Sequence, residues 1–224
     1  MIYPKKCPFC GKIFSGGICE ECRKKLPWIE EPICKRCGKP IQSEVKEYCY
    51  DCSRRKHYFN EGRALLVHKK PVTDVVYALK YKDKRIYGEI LAKEMAKAYS
   101  GYMRARRADL IVPIPLHKSR RRKRGYNQAE ILAGVISKET GIPYDKDVLF
   151  RVKKTVAQKE YGNRQRYKNI RGAFIAKKDM TGKNIFLIDD IYTTGSTLDE
   201  ASKILTKAGA LNVYFLVLSI GQGL

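Results

Sequence analysis

The stretch Ile185-Phe-Leu-Ile-Asp-Asp-Ile-Tyr-Thr-Thr-Gly-Ser-Thr197 decides the fold. Its first four residues are an unbroken apolar run, which suits a short strand buried on both faces of a parallel sheet. Two adjacent carboxylates follow, then a small hydroxyl-rich turn. From residue 196 to 208 the apolar spacing becomes helical. A strand that feeds a helix at its carboxyl end is the unit of an α/β sheet, and ligands of such sheets bind beyond those strand ends.

The chemistry of the stretch suits one ligand. A turn over 193–197 at a helix amino terminus offers backbone N–H groups and a positive dipole end to a phosphate dianion. Thr193, Thr194, Ser196 and Thr197 add hydroxyl donors, and Gly195 lets the backbone come close. Upstream, Asp189 and Asp190 can accept hydrogen bonds from two vicinal hydroxyls. Phosphate at one end and diol at the other describe a 5-phosphorylated ribose. The local alternative is that the acids end a strand while Thr194 or Ser196 caps a helix.

Working outward, strands are expected over 62–68, 109–115, 184–188 and 213–219, and helices over 72–81, 86–99, 125–140 and 196–208. The alternation implies a parallel sheet with helices on both faces. Residues 1–58 read as a separate unit and 59–224 as the α/β domain, because the composition changes near Phe59. All eight cysteines lie before it, as four Cys-x-x-Cys pairs: Cys7/Cys10, Cys19/Cys22, Cys34/Cys37 and Cys49/Cys52. Two thiolates three positions apart on a tight turn face one ion, and two such turns complete a tetrahedral four-sulfur site of the structural zinc type. Gly11 and Gly38 directly follow Cys10 and Cys37, where a positive φ is useful. Sequential and interleaved pairings use the same residues, and an iron–sulfur cluster takes four thiolates as well. Metal binding is expected to supply most of this segment's folding free energy.

The chain has 224 residues and 46 Lys plus Arg against 23 Asp plus Glu, a formal charge of +23. Eight thiolates holding two Zn²⁺ lower this only to about +19. So basic a chain calls for a polyanionic partner, either nucleic acid or phosphorylated small molecules. Its longest apolar stretch, 213–218, is far short of the roughly 18 residues of a membrane span. The start carries no apolar run of a secretory signal, so a cytoplasmic location with reduced thiols is expected.

The 185–197 segment resembles the phosphoribosyl pyrophosphate (PRPP) loop of type I phosphoribosyltransferases. More of the chain is similar to the ComF proteins of bacterial competence and DNA uptake: the paired cysteine motifs, Ala78-Leu-Lys-Tyr-Lys82, Val112-Pro-Ile-Pro-Leu-His117, Arg124-Gly-Tyr-Asn-Gln128, Thr155-Val-Ala-Gln158 and Arg166-Tyr-Lys-Asn-Ile-Arg-Gly-Ala-Phe174. The resemblance implies a type I phosphoribosyltransferase-like sheet behind a double zinc ribbon, Mg²⁺ bound with PRPP, single-stranded DNA as a partner and a competence helicase as a further one. Under it, Asp189 and Asp190 hold the ribose hydroxyls and Thr193 to Thr197 cradle the phosphate.

It also implies a pyrophosphate loop over 118–124, with six basic residues in seven positions, and a flexible loop within 151–171, with eight basic residues and the single acid Glu160. Lys118, Arg120, Arg124, Gln158, Arg164 and Arg166 are their candidate ligands. Equally, these basic stretches could be solvated loops or a nucleic-acid surface, with Tyr126, Tyr161 and Tyr167 either stacking on bases or packing in the core or the loops. His57, His68 and His117 have no partner legible in the sequence. The acceptor of a transferase reaction is not legible either.

Overall fold

The computed structural model describes residues 6–154 and 168–221. In chain order its elements are α1 (Glu20–Lys25), α2 (Tyr50–Arg54), β1 (Glu61–Val67), α3 (Val72–Tyr81), α4 (Arg85–Ala105), β2 (Leu110–Pro113), α5 (Lys118–Arg124), α6 (Gln128–Thr140), β3 (Leu149–Arg151), β4 (Phe174–Ala176), β5 (Asn184–Tyr192), α7 (Ser196–Lys207) and β6 (Asn212–Ile220). Four strands form a sheet in the order β1-β6-β5-β2, and every pairing in it is parallel. The expected α/β class, a parallel sheet flanked by helices and preceded by a cysteine-rich segment, is what the chain adopts.

Because side chains alternate along a strand, the sheet has two apolar faces. Ile185 and Leu187 of β5 pack on one side with Leu198, Ala201 and Leu205 of α7. Phe186 and Ile188 pack on the other with Leu91 and Met95 of α4 and Leu132 and Ile136 of α6. Unpaired edge strands invite pairing with other chains, and here both edges are covered. Trp28 bridges Leu66 of β1, with Val67 N donating to Pro27 O at 2.8 Å. At the far edge, Ile111 N of β2 donates to Pro143 O at 2.9 Å.

The cysteine-rich segment straddles the β1 edge. Cys7 and Cys19 join the α4 face with Ile18 and Leu26, whereas Cys34, Cys37, Cys49 and Cys52 join the α7 face with Phe59 and Phe215. Gly62 makes the second contact possible: a side chain there would run into the Phe215 ring, and its N–H donates to Arg36 O at 2.7 Å. On the α4 side, Arg23 Nη1 reaches Glu94 Oε2 at 2.9 Å.

Around the strand ends, the elements differ from expectation chiefly in four places. The expected loop over 118–124 is a helix, because His117 Nδ1 accepts from Ser119 N at its start and Gly125 takes φ 78° at its end. For the same reason the next helix begins at Gln128, capped by Asn127, and not at Gly125. Strand β5 continues through the two acids to Tyr192, since β6 stays in register beside it as far as Ile220. A short antiparallel β3–β4 hairpin brackets the segment expected to be a loop. Three-residue strands are too brief to show a period.

Candidate functional site

A cavity of about 350 Å³ opens at the carboxyl ends of β2 and β5. Asp189, Asp190, Thr193, Ser196 and Thr197 line it, as do Arg120 and Arg124 of α5. Among the other predicted residues, Thr194 and Gly195 build the turn without lining the cavity, and Lys118 is exposed away from it. Gln158, Arg164 and Arg166 lie outside the described residues, as do Tyr161 and Tyr167.

The turn is shaped by its own residues. Gly195 has φ 74°, and a Cβ on it would lie 2.6 Å from Tyr192 Cζ, so both the backbone angle and the neighbouring ring demand glycine. Tyr192 is fixed by stacking on Phe215, with ring centroids 5.3 Å apart. Thr194 Oγ1 lies 3.1 Å from Ser196 Oγ. One turn into α7, Asp199 N donates to Gly195 O at 2.8 Å.

The acid pair has unequal surroundings. Asp190 is buried and its Oδ1 lies 3.0 Å from Lys80 Nζ. Asp189 Oδ1 accepts from Asp190 N at 2.8 Å. Burial, reinforced by the neighbouring Asp190 charge, pushes the Asp189 carboxyl up to about 7, against the pull of Lys80 and Arg151. Arg151 of β3 also lines the cavity, and burial together with Arg120 lowers its guanidinium to about 10. Burial and then Arg124 lower Arg120. The wall therefore sets Lys80, Arg120, Arg124 and Arg151 against two carboxylates, a balance that favours an anionic ligand.

Sequence reasoning missed Lys80, Asn127, Gln128 and Arg151. Lys80, Asn127 and Gln128 sit in segments quoted for the resemblance, but helix spacing marks Lys80 only as the flank of a buried face. Asn127 looks like a helix cap and is one; its Nδ2 also donates to Ile114 O at 2.9 Å, tying α6 to the end of β2. Of the two roles open to Tyr126, packing is the one the chain adopts: it is buried and donates to Leu79 O, which leaves no open ring face for a base. All three histidines have partners. His57 meets Asp199 at 3.3 Å, His68 meets Ser219 at 2.9 Å and His117 caps α5.

The two cysteine clusters settle the pairing as sequential. Cys7, Cys10, Cys19 and Cys22 form one group and Cys34, Cys37, Cys49 and Cys52 the other, each with its sulfurs within 4.8 Å of one another. All eight are free thiols. Gly11 and Gly38 take φ 75° and 72°, as such knuckles need. Thiols this close cannot all ionise without a cation: hydrogen bonds from Cys37, Cys49 and Cys52 lower Cys34, while those from Cys34, Cys49 and Cys52 raise Cys37. The donor set fits structural Zn²⁺, which ionises all four.

Comparison with known proteins agrees. Residues 1–53 match the double zinc ribbon domain family. Competence protein F of Haemophilus influenzae is 29% identical over 203 residues, 88% of this chain and 87% of the relative. The chain is thus similar to the ComF proteins along most of its length. Competence protein ComFC of Bacillus subtilis is 28% identical to it over 86% of the chain and 79% of the relative. The DNA utilization protein YhgH of Escherichia coli K12 is 25% identical over 88% of it. Among solved structures, a purine phosphoribosyltransferase from Pyrococcus horikoshii aligns with 58% of this chain and 73% of its own, at TM-score 0.39 and 17% identity. Glutamine PRPP amidotransferase from B. subtilis aligns over the same share, a quarter of its own chain, at TM-score 0.40 and 21% identity. No helix among the described residues is long and apolar enough to cross a membrane.

Proposed function

We propose that the chain binds Mg²⁺–PRPP at the β2/β5 cavity and serves phosphoribosyl chemistry tied to the handling of incoming DNA in the cytoplasm, with residues 1–58 as a zinc-held module and 59–224 as the PRPP-binding unit. One observation carries it: the acids Asp189 and Asp190, the hydroxyl turn of Thr193, Ser196 and Thr197, and four cations line a single cavity at a strand end. In this reading the acid pair takes the ribose hydroxyls, the turn takes the 5-phosphate, and Arg120, Arg124 and Arg151 face the diphosphate. Mg²⁺ arriving with PRPP neutralises diphosphate charge. The reaction class is displacement of pyrophosphate from the anomeric carbon by a nucleophilic nitrogen, with the chain's own part being positioning and charge stabilisation.

The test is pyrophosphate release from Mg²⁺–PRPP across a panel of bases, amines and ammonia. Turnover with one acceptor class, lost in Asp190→Asn, supports a transferase; tight PRPP binding without turnover on any acceptor counts against one.

A second reading is a non-enzymatic competence factor that holds single-stranded DNA and uses PRPP as a regulator. It is favoured by the exposed rings of Tyr77 and Tyr81, 4.8 Å apart, beside the basic helix α5. Such a surface suits stacked bases and phosphates. The measurement is single-strand affinity against salt, where phosphate contacts give a steep linear log–log fall and a flat response rejects the reading.

A further inference from the structure

Lys80 stands where the two halves of the proposed ligand would meet. It projects from the last turn of α3, lines the cavity with Arg120, Arg124 and Arg151, and lies 3.0 Å from Asp190 Oδ1. Its side chain is 18% exposed and that of Asp190 11%, so the pair is largely withdrawn from water. Two carboxylates on consecutive residues repel, and a buried carboxylate left without a cation is costly. Lys80 offsets that cost at Asp190. It also holds an oxygen that a ribose hydroxyl would need.

We propose that Lys80 is an exchangeable counter-ion. In the unliganded chain it pairs with the diol-binding carboxylate of Asp190; as ribose hydroxyls engage Asp190, the ammonium moves to the diphosphate arriving in the same cavity. The proposal rests on the PRPP reading above and assigns Lys80 a place in it. The physical preference is plain: an ammonium gains more from a diphosphate bearing several charges than from one carboxylate already shared with hydroxyl donors. Lysine suits the move, since its ammonium sits on a flexible four-carbon stem with three rotatable donors, whereas a guanidinium fork is held to one plane. The three guanidiniums of the wall would then form the fixed part of the anion site and Lys80 its moving part.

The role predicts effects of opposite kind on two fragments of PRPP. Isothermal titration of the full-length, zinc-loaded chain at pH 8 compares wild type, Lys80→Met and Lys80→Arg, with Mg²⁺–pyrophosphate and ribose 5-phosphate as separate probes. Removing one charge-assisted contact should weaken pyrophosphate binding by about tenfold or more in Lys80→Met. Ribose 5-phosphate should bind as tightly as before or tighter, because its hydroxyls no longer compete with an ammonium for Asp190. Lys80→Arg, which keeps the charge but not the compact rotatable ammonium, should restore the pyrophosphate affinity only in part.

Equal losses for both probes would mean that Lys80 only supports the architecture, and unchanged pyrophosphate binding would mean that it never reaches the diphosphate; either result overturns the assignment while leaving the PRPP reading standing. A wild-type chain that binds neither probe nor PRPP removes that reading and this proposal together. Should Lys80→Met fail to fold, Lys80→Gln against Lys80→Arg makes the same comparison.

Discussion

Replacing Asp189 by Asn should make the protein more stable and less able to bind PRPP. The carboxyl of Asp189 is pushed up to about 7, first by burial and then by the adjacent Asp190 charge. Its ordinary value is 3.8, and a rise from there to about 7 is worth about 4 kcal/mol. The sign follows from proton counting. Between the ordinary carboxylate pKa and 7 the folded state keeps a proton that the unfolded state has lost, so stability falls as pH rises through that window. Above it, the full cost of an ionised Asp189 is borne by the native state. Asn has the same shape, retains an oxygen to accept from Asp190 N, as Asp189 does at 2.8 Å, and carries no charge.

The expected gain is therefore about 3–4 kcal/mol at pH 8, shrinking to roughly half at pH 5.5. For a chain of this size it corresponds to a rise in melting temperature on the order of 10 °C at pH 8. Paired scanning calorimetry of zinc-loaded wild type and Asp189→Asn at both pH values reads it, since taking the difference cancels thiol titration common to both. An Asn variant less stable than wild type at pH 8, or a gain that does not shrink with acidity, refutes the reasoning. Coupled with weakened PRPP binding, the gain would show a site that keeps an unfavourable carboxylate for its ligand.

Four other outcomes follow from the geometry. Gly195→Ala should cost about 1–3 kcal/mol and loosen PRPP binding, because Ala resists φ 74° and its Cβ would force Tyr192 off Phe215; melting and titration calorimetry on the same sample check both. Cys34→Ser should lose one zinc and lower the melting temperature more than Cys10→Ser does, since Cys34 is wholly buried in the sheet's core whereas Cys10 is exposed; metal analysis with thermal unfolding distinguishes them, and equal effects would contradict the packing. If DNA lies across α3 and α5, Tyr77→Ala with Tyr81→Ala should weaken single-strand binding by about 1–3 kcal/mol per stacked base without changing its salt slope. Neutralising Arg121, Arg122 and Lys123 should instead flatten that slope.

The amino-acid sequence by itself determined the α/β class and the metal clusters, because both are written in short-range spacing. An apolar run ending in two acids and a glycine turn leaves one local solution, and four Cys-x-x-Cys pairs specify four knuckles wherever they fold. Tertiary structure alone decided which knuckles share an ion, and that the two clusters grip opposite faces of the sheet around the β1 edge. It alone brought Lys80 from α3 and Arg151 from β3 to the acids of β5. Those residues lie about 40 to 110 positions from the acids, and no periodicity encodes a contact at that range. The basic run over 118–124 shows the division clearly: its charge was legible, but the cap by His117 and the stop at Gly125 made it a helix. That geometry turns Arg120 and Arg124 toward the cavity and leaves Lys118 in solvent.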